Sequence, residues 1–404
     1  MPYGLLSSGI LMWRKDGRNN FHRKVLFSQR GRLPWMIWLL SQWFLAVRWR
    51  WFFAAQATDN ALSRYGAVIA AQEGLSIEDQ RRSILKLSKR YCIHPQSIYR
   101  FRLYRDPKTA LNFVFPREVK PLHRLRNTKC GEDDKSVMQD KFKFSQRCTS
   151  AGLPSVPTMQ SLKKGKSIAS AEIRFGGHSG VFLKSRSGFR GLGAFSIEKR
   201  QDQLIGHMHH DGRTIRTDEE IQTALDDLLR NDDVLVQPCL SNDQLLSSVA
   251  PPNQTVVLRV VTIGSSIQPL IYSAYLRIPL FVESSAYHPE YSYEVLAGVN
   301  VMSGEICKNV DSSLSLNPYA GAYEERVLKE LGKAPVVKFW NEIAHYSIEA
   351  QKEFSGLWAV GWDWFVTEKR PYLLEGNVDW EAQKPQEISG GLVEWLANRA
   401  PSHD

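Results

Sequence analysis

The chain has 404 residues, 43% of them hydrophobic and 11% aromatic, with a net charge of +10. This is enough apolar material for a globular protein of two or three domains, and it excludes a disordered or fibrous chain. Five scattered cysteines without a CxxC pair indicate neither a disulfide framework nor a zinc site, which suits a reducing cytoplasm.

The N-terminal third is basic. Residues 1–130 hold 24 Lys and Arg against 7 Asp and Glu, a net +17, leaving −7 for the remainder. Its opening, "MPYGLLSSGILMWRKDG", has no basic segment before the apolar run and so does not read as a signal peptide. The longest apolar run, Leu33 to Val47, is too short to span a bilayer and is closed by Arg48 and Arg50. It reads first as a buried packing helix. The alternative is an interfacial amphipathic helix, given Trp35, Trp38, Trp43, Trp49 and Trp51 among arginines. Peripheral association with an anionic membrane, at the inner membrane surface, would follow from that alternative. Nucleic acid is not expected as a partner, because no finger, RNP or helix-turn-helix signature accompanies the charge.

Further along, "SIEDQRRSILKLSKRY" predicts a helix capped by Ser76. The composition shifts near 131–138, giving an expected helical region 1–136 and a second domain 137–404. "DKFKFSQRCTSAG" predicts a short helix stopped at Gly152. Strand-like runs follow near 180, 205, 235, 258 and 272. Between them, "TDEEIQTALDDLLR" carries a Thr217/Glu220 capping box and an apolar stripe. A later helix is predicted from "PVVKFWNEIAHYSIEAQKEF". The pattern is α+β with antiparallel hairpins, without the βαβ rhythm of a parallel sheet.

Four places carry chemistry. In "AVGWDWFVTEKRPYLLEGNVDW" alternation puts Val360, Trp362, Trp364 and Val366 on one face of a strand and Asp363 on the other. The return arm brings Glu375 opposite Asp363, with Asn377 on the same face. Facing carboxylates call for a cation, and Mg²⁺ takes a few oxygen ligands of this kind; ordinary surface acids are the plain alternative. In "FLKSRSGFRGLGAF" a strand ends at Lys184 and enters a loop with Gly188, Gly191 and Gly193, which would let backbone N–H groups approach phosphates, unless it is only a flexible hairpin tip. "DVLVQP" stops at Gln237-Pro238, where main-chain groups could read an adenine edge. Arg259 interrupts the apolar strand "TVVLRVVT" and needs an anionic partner if buried. A fifth cluster, His207, His209 and His210, reads as a surface strand end rather than a metal site.

In this order the pieces resemble the ATP-grasp superfamily, most closely its sugar-transfer associated branch related to alpha-L-glutamate ligases, over roughly residues 137–395. The resemblance implies an ATP-grasp fold and the cofactors ATP and Mg²⁺. Lys141 and Lys184 would contact the phosphates, Val236 and Gln237 the adenine, and Arg259 the terminal phosphates; Asp363, Glu375 and Asn377 would bind Mg²⁺. Arg259 and Lys184 would be the catalytic pair. The implied reaction is a ligation in which ATP activates a small-molecule or glycan-linked carboxylate, with a kinase or a non-catalytic nucleotide-binding scaffold as alternatives. Arg277 and Asn300 are placed as substrate-facing groups, with a paired Arg and a turn Asn as the plain readings.

Overall fold

The computed structural model describes residues 17–399 apart from 32, 129, 167, 189–193, 201–202, 209–212, 252–253, 265–267, 280–293, 308–325, 328, 334 and 379. Helices come first: α1 (Gly17–Phe27), α2 (Trp35–Arg48), a π turn (Trp49–Phe53), α3 (Ala54–Glu73), α4 (Ile77–Tyr91), α5 (Pro95–Arg100) and α6 (Pro116–Arg126). The α4 start is the predicted one, with the Ser76 hydroxyl accepting from the Asp79 N–H. Ile84 and Leu87 pack with Leu62, Tyr65 and Ile69 of α3 in a core separate from the sheets; each such side chain contributes about 1.5–3 kcal/mol.

Next, α7 (Gly131–Gln139) runs across the expected boundary at 136/137, and α8 (Lys141–Ser150) follows. Asp134 of α7 is buried and accepts from the Gly356 N–H and from Arg147, which ties this helix to the second domain.

Eleven strands among the described residues form two sheets. The first contains β1 (Gln160–Leu162), β2 (Gly180–Ser185), β3 (Phe195–Arg200), β4 (Gln203–Met208), β5 (Thr214–Ile215) and β6 (Val234–Pro238), in the order β1-β6-β2-β3-β4-β5. Helix α9 (Asp218–Asn231) lies on it, opened by the Thr217/Glu220 capping box and burying Ile221, Leu225, Leu228 and Leu229. The second sheet contains β7 (Val257–Ile263), β8 (Leu270–Pro279), β9 (Glu294–Val299), β10 (Ala359–Val366) and β11 (Pro371–Asn377), in the order β11-β10-β7-β8-β9. Every pairing between these strands is antiparallel, as the α+β reading requires.

After the short α10 (Gln244–Val249), α11 (Trp340–Glu353) packs on the second sheet. It starts five residues later than the sequence pattern suggests: Phe339 sits at φ +61°, a left-handed conformation that stops the helix from extending back to Pro335. Val337 is buried all the same, from irregular backbone.

Helices α12 (Gln383–Ser389) and α13 (Leu392–Arg399) fasten the helical region to the second sheet. The Gln386 amide accepts from the Val114 N–H at 2.7 Å and donates to the Val114 carbonyl at 2.9 Å. His22 and Glu118, both fully buried, meet at 2.8 Å between α1 and α6. A buried polar group that is paired in this way holds elements in one arrangement.

One expectation fails outright. Helix α2 buries Trp38, Gln42 and Ala46 but exposes Trp35, Met36, Leu40, Trp43 and Phe44 by more than half. It is not an ordinary packing helix.

Candidate nucleotide and metal site

The hairpin of β10 and β11 sets Asp363 directly opposite Glu375, followed by a bulge before Trp364 pairs with Leu373. Bulges re-aim side chains and recur beside active sites. The alternation is as read from the sequence: Trp362 and Trp364 point into the core, their indole N–H groups donating to Thr262 Oγ1 at 2.7 Å and Ser347 Oγ at 2.9 Å. Asp363 faces the other way. Its neighbour across the sheet on β7 is Arg259, whose Nε and Nη2 both donate to the Asp363 carboxylate, the latter at 2.8 Å. Gly361 makes room for this guanidinium, since a Cβ there would lie 3.2 Å from Arg259 Cδ. The Asn377 amide N–H groups reach Asp363 Oδ2 at 3.1 Å, the Gly361 carbonyl at 3.3 Å and Glu375 Oε1 at 3.5 Å. Asp363, Glu375, Asn377 and Arg259 therefore converge.

Burial, reinforced by the facing Asp363, raises the Glu375 pKa; Lys184, Lys141 and Arg259 pull it back. The Arg259 pKa is raised even though burial opposes it, because Asp363 holds the charge in place.

Lys184 comes from the other sheet, and Lys141 from α8, which packs through Phe144 and Cys148 in the core of the second sheet. Lys184 is on β2, and burial pushes its pKa down to about 8, with Glu375 acting in the opposite direction. Lys141 occupies the first turn of α8, donates from Nζ to the Gly188 carbonyl, and is also depressed by burial against the pull of Glu375. A lysine of the first sheet and one of α8 thus address the same carboxylate, Glu375 of the second sheet.

Arg186, in the glycine-bearing loop, does not face this cluster. It binds the N-cap Asp140 of α8 at 2.7 and 2.8 Å and Asp233 at 3.2 Å, while its carbonyl accepts from the Lys141 N–H. Burial opposes the Asp140 charge, but Arg186 and the N–H groups of Lys143 and Phe142 hold its pKa low. Arg186 therefore fixes the helix start that carries Lys141. Gly191, Gly193, His209 and His210 lie outside the described residues. Gly188 is within them, as is His207, which pairs with Thr214 Oγ1 at 3.3 Å on β4.

Val236 is wholly buried in β6, and its carbonyl accepts from the Met159 N–H. Gln237 is also buried and donates to the Val156 carbonyl at 3.3 Å, so any adenine contact there belongs to backbone at the strand end. Asn300 is a turn residue, its Oδ1 accepting from the N–H groups of Met302 and Ser303.

Arg277 is paired with Glu294, and its Nη1 stands 3.9 Å from Asp363 Oδ2. Lys384 of α12 joins Glu294 at 2.7 Å, and burial of Glu294 is outweighed by Lys384 and Arg277, which bring its pKa down to about 2. Glu294 and Lys384 escaped the sequence reading. The acid opening the apolar run "EVLAGV" was the signal for one; nothing local marks the other.

Among the described residues no three His, Cys, Asp or Glu side chains gather as a metal set. The donors at hand are two carboxylates and an amide. They fit a hard cation that keeps other oxygens for phosphate and water, and the two half-buried lysines fit the phosphate. The Asn377 amide would turn over to offer its carbonyl.

A family model described as sugar-transfer associated ATP-grasp matches residues 126–398. No curated protein sequence matches. Solved structures that resemble the fold include D-alanyl-alanine synthetase A from Vibrio cholerae, 15% identical with a TM-score of 0.41, covering 66% of this chain and 64% of that one. D-alanine–D-alanine ligase from Bacillus anthracis, complexed with ATP, is 11% identical with a TM-score of 0.35, at 66% and 62% coverage. N5-carboxyaminoimidazole synthase from Aspergillus clavatus is 12% identical with a TM-score of 0.34, at 64% and 50% coverage. The chain thus spans less than two thirds of the length of each. The family match takes in both sheets and every described member of the charged cluster, and the chain belongs to the sugar-transfer associated ATP-grasp family.

Proposed function

We propose that this protein is an ATP-dependent ligase that activates a carboxylate as an acylphosphate for attack by an amine or similar nucleophile. The observation that carries the proposal is the charged cluster between the sheets: Lys184 from the first sheet and Lys141 from α8 address Glu375, which stands in register with Asp363 on the second. Bound MgATP supplies a transferable phosphoryl group and a divalent charge that neutralises it.

The chain's own residues then position and balance charge. Lys141 and Lys184 hold phosphate oxygens, and Asp140 with Arg186 keeps the Lys141 backbone in place. Asp363, Glu375 and Asn377 provide the oxygen donors for the metal. Arg259 shares its charge between Asp363 and the terminal phosphates, and Arg277 lies close enough to orient an incoming carboxylate. Such chemistry is mostly electrostatic preorganisation and needs no acid–base triad. The family's name supports a substrate in sugar-transfer or cell-surface polysaccharide chemistry.

Calorimetric titration of ATP with and without Mg²⁺ tests the reading. Wild type should bind in a Mg²⁺-dependent manner. Glu375→Gln should lose at least about tenfold in affinity, as loss of one charged ligand removes 1.4 kcal/mol or more. Equal ATP affinity in both proteins would remove Glu375 from the site. Turnover yielding ADP, phosphate and a new amide marks a ligase, whereas a stable phosphoester product would overturn it.

A further inference from the structure

Ten of the fifteen large hydrophobic side chains that are exposed among the described residues fall between Phe27 and Phe52. They form one face. On α2 the buried stripe is Trp38, Gln42 and Ala46, continued by Trp49, at helical spacing. The outward stripe is Met36, Leu40 and Trp43, flanked by Trp35 and continued within the π turn by Trp51 and Phe52, the last two 79% and 74% exposed. A surface helix of a globular protein carries polar residues there, and a contiguous apolar patch marks a contact surface.

The charge pattern says what kind of contact. From Gly17 to Thr58 there is no Asp or Glu, while Arg18, Arg23, Lys24, Arg30, Arg32, Arg48 and Arg50 supply seven positive charges. Two copies joined face to face would bring Arg48 and Arg50 of each together with no acid from Gly17 to Thr58 of either. An anionic surface is complementary to both properties at once. Trp is the side chain that favours the headgroup level of a bilayer, and three of the outward residues are Trp. The helix does not cross: no helix of the described residues is long and apolar enough to span a membrane.

We propose that this face, Leu33 to Phe52, docks the protein on the surface of an anionic phospholipid bilayer, with α2 lying in the interface plane. Membrane contact of this type combines apolar insertion with attraction to anionic headgroups. It is independent of whether the cleft binds nucleotide.

Co-sedimentation of the full chain with phosphatidylcholine vesicles, with and without phosphatidylserine, is the test. Binding should be at least about tenfold tighter to the phosphatidylserine vesicles, weaken with added salt, and shift the tryptophan emission to the blue. Leu40→Glu with Trp43→Glu should reduce it by about tenfold or more while leaving ATP binding as in wild type. If that variant fails to fold, the comparison of vesicle compositions in wild type decides alone. No binding to either vesicle, or equal binding to both, overturns the proposal. A dimer that these substitutions dissociate, in a protein that ignores vesicles, also overturns it and assigns the face to a second copy.

Discussion

The grasp domain and the helical region invert the usual rule of apolar inside and polar outside, but in opposite directions. In the grasp domain, Arg259, Asp363, Glu375, Lys141 and Lys184 gather in or beside a buried cluster with charges of both signs. In the helical region, Trp43, Trp51 and Phe52 stand in solvent. The first departure costs desolvation and is tolerated only because each charge has a partner. The second costs nothing in folding, since those side chains are as exposed in the unfolded chain. Folding stability is therefore sensitive to the first and indifferent to the second.

The largest effect expected is at Asp363. Removing it by Asp363→Ala leaves Arg259, whose side chain is 11% exposed, without its bidentate partner. Breaking a buried pair from one side costs about 3–5 kcal/mol. Chemical denaturation should show that loss, with Arg259→Leu in the same background recovering part of it. A loss below about 1 kcal/mol would mean that water reaches the pair.

How much of this was readable follows the range of the interactions. The hairpin, its alternation and the Asp363–Glu375 facing are local, set by period two and a tight turn, and the sequence carries them in full. The Thr217/Glu220 capping box and the α9 stripe are local too. What was not readable depends on partners far away in sequence. Arg259 was expected to address phosphate, yet its first partner is an aspartate 104 residues on, which only the strand order β10-β7 reveals. Arg186 is the clasp of α8, and nothing local marks it as such, because Asp140 and Asp233 approach it from different elements. For α2, composition reports an apolar helix but not how much of it the remaining fold covers.

A mid-sized effect should appear with pH. Burial depresses the folded pKa of Lys184 to about 8, so the free protein loses this proton as pH rises through that value. A bound triphosphate stabilises the charged form, so binding takes up a proton above pH 8. Affinity for ATP should then fall by up to about tenfold, or 1.4 kcal/mol, per pH unit above 8. Lys184→Arg, charged throughout, should flatten the curve. An unchanged slope in that variant would show that another group titrates.

The smallest effect is the sharpest check on the contrast. Leu40 is 65% exposed on α2, and Leu40→Glu puts a charge in the outward apolar stripe of Met36, Leu40 and Trp43. Glutamate is a good helix former, and an exposed substitution away from packing, caps or buried pairs shifts stability by about 0.5 kcal/mol or less. Thermal or denaturant melts of the free protein should be superimposable on wild type within that margin. A loss of about 2 kcal/mol or more would mean that Leu40 is covered in solution, by another copy or by residues 1–16. The indifference of this face to folding would then be wrong, and with it the reason for giving it to a bilayer.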